Sequence, residues 1–284
     1  MKIIDPHIHL FNLKDGNYNW LKPENPPFWP DKPIINKSFG ENDLDLAANE
    51  QLAGFVHIEA GYDNDQPWQE IAWLEKVCSL PMKSVATCDL TLPPAQFDEQ
   101  LSRIVMHKSV VGVRHILDDE ASVLLRQKNV QLNLSTIAKF NLIFELQINV
   151  CELDSVNLFS TLAEQHSLIY TINHAGFPPL NSNSEAWQNW LAGLTLLAKG
   201  NSAVKCSGWE MLSRNYELEF QKQVVKSCLN LFGSERVMLA SNFPLCLFSK
   251  SYSEFWLQSL DINEQQKQAL VYDNACSWYQ FTEL

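Results

Sequence analysis

The chain has 284 residues, of which 46% are hydrophobic and 19% charged, with a formal net charge of −12. That length accommodates one α/β barrel or two smaller domains, in a composition ordinary for a globular protein. The acidic balance argues against a nucleic-acid binder, which would carry a basic face, and no run approaches the ~18 apolar residues of a membrane span.

Taken in chain order, short apolar runs alternate with amphipathic stretches. Residues 2–4 read as a first strand, and the apolar stretch is too short for a signal peptide. It leads into Asp5-Pro6-His7-Ile8-His9. Residues 12–38 hold five prolines, at 23, 26, 27, 30 and 33, with Trp20, Phe28 and Trp29 among them. Proline fixes φ and removes a donor, so this is an extended loop. Following strand one, it belongs either to the wall of a substrate pocket or to a packed surface. Further strands read at 54–58, 84–88, 110–114, 142–148, 168–172, 203–206 and 237–240. Helices read at 68–78, 96–107, 122–139, 156–166, 185–199 and 218–231, with a last one over about 264–281. From the second strand on, the units recur every ~25–35 residues, the spacing of strand–helix crossovers. Eight strands, nearly continuously apolar as in a sheet covered on both faces, predict one α/β domain: a (β/α)8 TIM barrel over 1–284.

Seven cysteines at 78, 88, 151, 206, 228, 246 and 276 form no C-x-x-C pair and are odd in number. They read as reduced structural thiols of a cytoplasmic protein.

Polar residues collect where the strands end, and barrel enzymes draw their catalytic groups from those ends. His7 and His9 stand two apart just past strand one, so period-two alternation points both imidazoles the same way. Two neutral imidazoles suit a divalent metal, or a pair of donors to a carbonyl or carboxylate. His57 and Glu59 end strand two, and Arg114 and His115 end strand four. Glu145 and Gln147 lie in strand five, and Asn173-His174-Ala175-Gly176 closes strand six. Lys205-Cys206-Ser207-Gly208 ends strand seven, and Ser241-Asn242-Phe243-Pro244 ends strand eight. His107 and His166 fall in helical stretches and read as structural.

These pieces resemble the amidohydrolase-2 family, in its branch of sugar-lactone and 2-pyrone-4,6-dicarboxylate lactonases. The resemblance rests on D-P-H-I-H-L at 5–10, G-V-R at 112–114, N-H-A-G-F-P at 173–178, K-C-S-G at 205–208 and A-S-N-F-P at 240–244. Asp273-Asn274-Ala275 and Tyr279 resemble the family's closing helix. It implies a distorted barrel that hydrolyses a lactone or related carbonyl ester of a small polar or carboxylate substrate. His7, His9, His174 and Asn242 then stand at the catalytic positions. Arg114, His115, Glu59, Gln147 and Lys205 are candidates for binding substrate. His7, His9 and His174 are candidate ligands for one divalent ion, zinc or manganese, in a branch where some members work without metal. One departure stands out: the family ends strand eight with an aspartate, and here the residue is Asn242. An amide takes no proton near neutral pH and is a weak ligand, so any site is expected to be mononuclear. Two other readings follow from that loss: a non-catalytic binding homologue, or a decarboxylase or hydratase. The expected partner is a small molecule, with neither nucleic acid nor membrane, and the sequence sets no oligomeric state.

Overall fold

The computed structural model describes residues 1–281. Eight strands form one sheet in chain order: β1 (Lys2–Ile8), β2 (Gln51–Ile58), β3 (Met82–Thr87), β4 (Val110–Arg114), β5 (Ile143–Leu146), β6 (Tyr170–Ile172), β7 (Ser202–Cys206) and β8 (Val237–Leu239). Every consecutive pair is parallel. The ring is drawn together just beyond the ends of β1 and β8. There Ile8 bridges Phe243, His9 N donates to Phe243 O (2.6 Å) and Asn242 N donates to His7 O (3.0 Å). Parallel strands with helical crossovers, joined first to last, make the (β/α)8 barrel that the spacing predicts.

The outer layer comprises the helices Trp68–Val77, Pro94–Ile104, Lys128–Lys139, Leu153–His166, Glu185–Leu197 and Leu218–Phe232. Ser184 caps the fifth of these, its hydroxyl accepting from Trp187 N at 3.1 Å. The expected helix over 122–139 is two pieces, Ala121–Leu124 and Lys128–Lys139, because Gln127 is extended (φ −74°, ψ 133°). The carbonyl of Leu125 left free by the break accepts from Gln131 Nε2 at 2.9 Å. The last helical stretch carries a π-helical turn at Ala269–Asp273 between Glu264–Gln268 and Asn274–Trp278. Between β1 and β2 there are only three 3-10 turns.

Strand β1 is longer than its apolar run suggests. Pro6 cannot donate to a ladder, and the register slips between Asp5 and Ile8. The irregularity lets the strand run on through the histidine motif.

Alternation along the strands divides the core in two. Ile4, Ala53, Val56, Ile58, Val85, Ile143, Ala203 and Met238 pack together with Ala275, Tyr279 and Phe281 from the C-terminal segment. This is the barrel lumen. The π-turn packs on β1 and β8, yet Tyr279, a few residues on, donates its hydroxyl to Glu145 Oε1 of β5 (2.5 Å) and meets Thr171 of β6 (3.3 Å). Its side chain therefore crosses the lumen. Glu145 also pairs with Lys205 Nζ of β7 (2.7 Å) and accepts from Asn173 Nδ2. A polar layer thus sits on the apolar plug, and the mouth lies above it.

All seven cysteines are free, four of them buried and three half-buried. No helix among the described residues is long and apolar enough to cross a membrane.

Candidate active site

The mouth opens into a cavity of about 860 Å³ that draws residues from all around the ring. His9, Glu59, Thr87, Arg114, Gln147, His174 and Asn242 line it from the strand ends, and Trp20, Pro27 and Trp29 wall it from the proline-rich loop. That loop thus lines the cavity while its indoles also pack against the core. Lys32 pins it from beneath, its ammonium donating to the carbonyls of Trp20 (2.9 Å), Lys22 (3.1 Å) and Asn25 (2.8 Å). Trp20 Nε1 donates to Ala60 O at 2.7 Å, which fastens the indole to the end of β2.

The three histidines come together. The ring of His7 lies 5.0 Å from that of His9 and 4.7 Å from that of His174, centre to centre. Burial holds all three well below the ordinary histidine pKa. The charges of Lys205 and Arg114 press His7 and His174 further down, and Arg114 does the same to His9. They are neutral at physiological pH. His9 Nδ1 faces two carbonyls, Ile58 O (2.8 Å) and Glu59 O (3.1 Å). Carbonyls only accept, so Nδ1 carries the proton and Nε2 keeps its lone pair. His174 Nδ1 is bonded to Ser207 Oγ at 2.9 Å. His7 is fully buried, and among the described residues neither of its ring nitrogens finds a hydrogen-bond partner.

Two of the site residues sit on strained backbone. His174, Ala175 and Phe177 have φ of 53°, 49° and 59°, and Asn242 has φ 60°. Left-handed conformations at non-glycine residues cost on the order of 1–3 kcal/mol each and gather at functional sites. Behind β1, Asp5 holds the strand ends in place: its carboxylate accepts from Ser241 Oγ (2.5 Å), Ser241 N (3.1 Å) and His7 N (3.2 Å). Burial raises its pKa to about 6, against those hydrogen bonds.

The other expected residues divide. Arg114 lies at the mouth with all three nitrogens engaged: Nε on Glu59 Oε1 (2.8 Å), Nη1 on Gln147 Oε1 (3.0 Å) and Nη2 on Glu59 O (3.1 Å). Gln147 turns its amide to Asp118 Oδ2 (3.2 Å), and His115 lines the wall with Nδ1 at Cys88 O (3.0 Å). Lys205 stands apart. It is fully buried in the polar layer, paired with Glu145, and does not line the cavity. His57 points outward to Glu70 at 3.4 Å. His107 rests on Glu75 at 3.1 Å, and His166 ends a helix. Sequence reasoning passed over Glu210, a buried carboxylate after β7 that accepts from Asn242 Nδ2 at 2.6 Å. It sits two residues past the K-C-S-G motif, with nothing in its spacing to mark it.

The expected metal ligands are gathered but not arranged as a ligand set. Among the described residues no group of three or more His, Cys, Asp or Glu side chains is placed to hold a metal ion. His7 offers free nitrogens, but the strand-eight corner is an amide, and the carboxylates of Asp5, Glu59 and Glu210 are taken by Ser241, Arg114 and Asn242 in turn. Three imidazoles can hold zinc without a carboxylate, so it is the placement of these side chains and not their type that does not fit a tightly held ion.

Comparison with known proteins agrees with the fold. The amidohydrolase family model matches residues 4–281. An L-fucono-1,5-lactonase of Burkholderia multivorans is 26% identical, aligned over 88% of this chain and 85% of its own length. The crystal structure of an amidohydrolase from the same organism, with bound zinc, superposes with a TM-score of 0.77 at 22% identity, covering 99% of both chains. A putative 2-pyrone-4,6-dicarboxylic acid hydrolase of Pseudomonas putida gives 0.71 at 20% identity, covering 99% of this chain and 98% of its own.

Proposed function

The chain belongs to the amidohydrolase family, and from that premise we propose that it hydrolyses a lactone or related carbonyl ester of a neutral, polyhydroxylated small molecule. The observation that supports this most directly is the cluster of neutral imidazoles at the floor of an aromatic-walled cavity. His9 Nε2, its tautomer set by two backbone carbonyls, is oriented to take a proton from an attacking water. The Arg114 guanidinium lies where it raises the local positive potential as the carbonyl oxygen gains charge. On ring opening the alkoxide takes up a proton, and the imidazolium at His9 returns to its neutral form. Glu145 has no part in this, being sealed beneath the mouth.

The cavity wall favours a neutral substrate. Five carboxylates line it, from Glu59, Asp65, Asp89, Asp118 and Glu120, against the single guanidinium of Arg114. A free arginine could clamp a substrate carboxylate with a two-pronged hydrogen bond, but Arg114 already pairs with the Glu59 carboxylate, which offsets its charge. Trp20 and Trp29 offer flat apolar faces to the ring of a sugar. The purified protein should therefore turn over neutral five- and six-membered sugar lactones at least about tenfold faster, by kcat/KM, than lactones carrying two carboxylates. A tenfold ratio is about 1.4 kcal/mol, modest for like charges held within a few ångströms. Turnover should survive a chelator. A preference for the dicarboxylates would overturn the substrate assignment, and loss of turnover on chelation the metal-free one. No turnover on any lactone would leave a binding barrel.

The fit behind His174 gives a second expected outcome. Gly208 has φ +72°, and a Cβ built there would lie 2.5 Å from His174 Nδ1. Gly208→Ala should push the imidazole by on the order of 1 Å, a displacement that can cost ~10²-fold in rate. Unchanged kcat/KM with a folded variant would mean that the placing of His174 does not matter.

A further inference from the structure

Glu210 is a buried carboxylate that the reaction described above does not use. It lies in the short helix Trp209–Leu212 that follows β7, is 1% exposed, and does not itself line the cavity. Among the described residues its one side-chain hydrogen bond to another residue is to Asn242, which does line it. A carboxylate only accepts, so the amide must turn Nδ2 toward Glu210 and leave Oδ1 facing elsewhere. That Oδ1 is buried and has no partner among the described residues, the condition it shares with both ring nitrogens of His7. Two left-handed turns meet here, since Gly208 (φ +72°) packs against the His174 ring and Asn242 (φ 60°) donates its backbone N–H to His7 O.

The backbone beneath this carboxylate is also held from behind. Arg214 Nη1 donates to the Glu210 carbonyl, while Nε and Nη2 pair with Asp31 of the proline-rich loop at 2.7 and 3.2 Å. The Arg214 guanidinium lies over Phe248 (4.1 Å) and Trp29 (5.5 Å). The backbone that carries Glu210 is thus fastened to the cavity wall.

We propose that Glu210 is the positioning residue of this site, and that Glu210 and Asn242 work as one carboxylate–amide unit. Glu210 fixes the amide so that Oδ1 is the acceptor at the end of β8, and the negative charge sits one side chain behind it. The proposal rests on the hydrolase reading for its kinetic consequences, and on geometry alone for the pairing. Burial lifts Glu210 to about 7, against the Asn242 hydrogen bond and the charge of Arg214. The titratable and charged groups facing it are Arg214, Tyr216 and, from the turn after β8, Cys246. Burial raises the pKa of both Tyr216 and Cys246, so neither ionises near 7.

Four proteins test the unit: native, Glu210→Gln, Asn242→Asp and the double exchange Glu210→Gln/Asn242→Asp. The readouts are kcat/KM against pH on the best lactone and melting temperature against pH. Glu210→Gln leaves two amides, which can pair either way round, and should lose about 10²-fold in kcat/KM through misplacement. It should also lose the fall in rate on the acid side of pH 7. Asn242→Asp sets two carboxyls at hydrogen-bond distance in a buried place, so they share one proton. It should gain nothing near neutral pH. The double exchange restores one carboxylate and one amide and should recover at least about tenfold over either single variant, a coupling that independent residues would not show.

The melting series stands apart from activity. Glu210's folded pKa is raised above its ordinary 4.5, so its contribution to stability is full below pH 4.5 and lost as pH rises through 7. Glu210→Gln should therefore flatten the change in melting temperature between pH 5 and pH 8, relative to the native protein. Glu210→Gln within about twofold of native with an unchanged pH profile, or additive effects in the double exchange, would overturn the proposal. If no form turns over any lactone, the hydrolase reading fails. The melting series then decides the pairing alone, and additive melting shifts with no flattening would overturn it.

Discussion

Lys205→Met should destabilise the protein by about 3–5 kcal/mol, the usual cost of removing one partner from a buried ion pair. Lys205 Nζ and Glu145 Oε2 lie 2.7 Å apart, and both side chains are fully buried. Without the ammonium, Glu145 keeps Tyr279 and Asn173 as donors but loses its only counter-charge among the described residues. For a chain of this size such a loss lowers the melting temperature by on the order of 10 °C. Lys205→Met/Glu145→Leu should recover most of it, because an apolar pair of similar volume is often neutral or stabilising. The ammonium carries its own pH signature. Burial holds Lys205 down at about 8, from an ordinary 10.5. A folded pKa below the unfolded one means that stability from this group is lost as pH falls through 8 and is regained toward 10.5. The native protein should gain stability over that window relative to Lys205→Met. A single variant that melts within 2 °C of native, or a double no better than the single, would show that the pair is not the keystone of the lumen.

That polar layer marks where sequence reading reached its limit. Glu145 read as lying in strand five and Lys205 as ending strand seven, and the ends of strands are where a barrel enzyme keeps its site. Depth was what could not be read. Lys205 belongs to the layer below the mouth because Tyr279, some seventy residues further along, fills the lumen beneath it. Arg114 was visible as a strand-end cation, but the partners that already engage it, Glu59 and Gln147, come from the ends of two other strands. The eight strands were legible because buried parallel strands are apolar throughout. Strand one read only as residues 2–4, whereas β1 runs on past Pro6, and the register slip shows how the ladder accommodates that proline. Glu210 has no local signature at all. Its meaning comes from Asn242, 32 positions away in sequence and 2.6 Å away in space.

His9→Ala and His174→Ala should each lower kcat/KM on the preferred lactone by about 10²–10⁴-fold, the range of a lost general base or of a lost partner in the same cluster. His9 should suffer more. Its Nδ1 is committed to Ile58 O and Glu59 O, so Nε2 is an acceptor in every native molecule and no tautomer has to be selected. His174 Nδ1 faces a hydroxyl, which can donate or accept, so its tautomer is free to follow the substrate. The two losses should be far from additive if the rings act on one substrate, with the double variant little worse than His9→Ala alone. Stability should change little, since removing a neutral imidazole at the cavity wall leaves no charge behind. The pH dependence separates the roles further. All three imidazoles are held well below 6.5 by burial and by neighbouring positive charge. Neither variant should therefore create or abolish a titration near the ordinary histidine value; whatever limb the native enzyme shows near 7 should persist in His174→Ala. Turnover that survives both substitutions would place the chemistry elsewhere in the cavity. A limb near 6.5 that vanishes with His174 would mean that this ring is more fully solvated in the working enzyme than its burial in the structure implies.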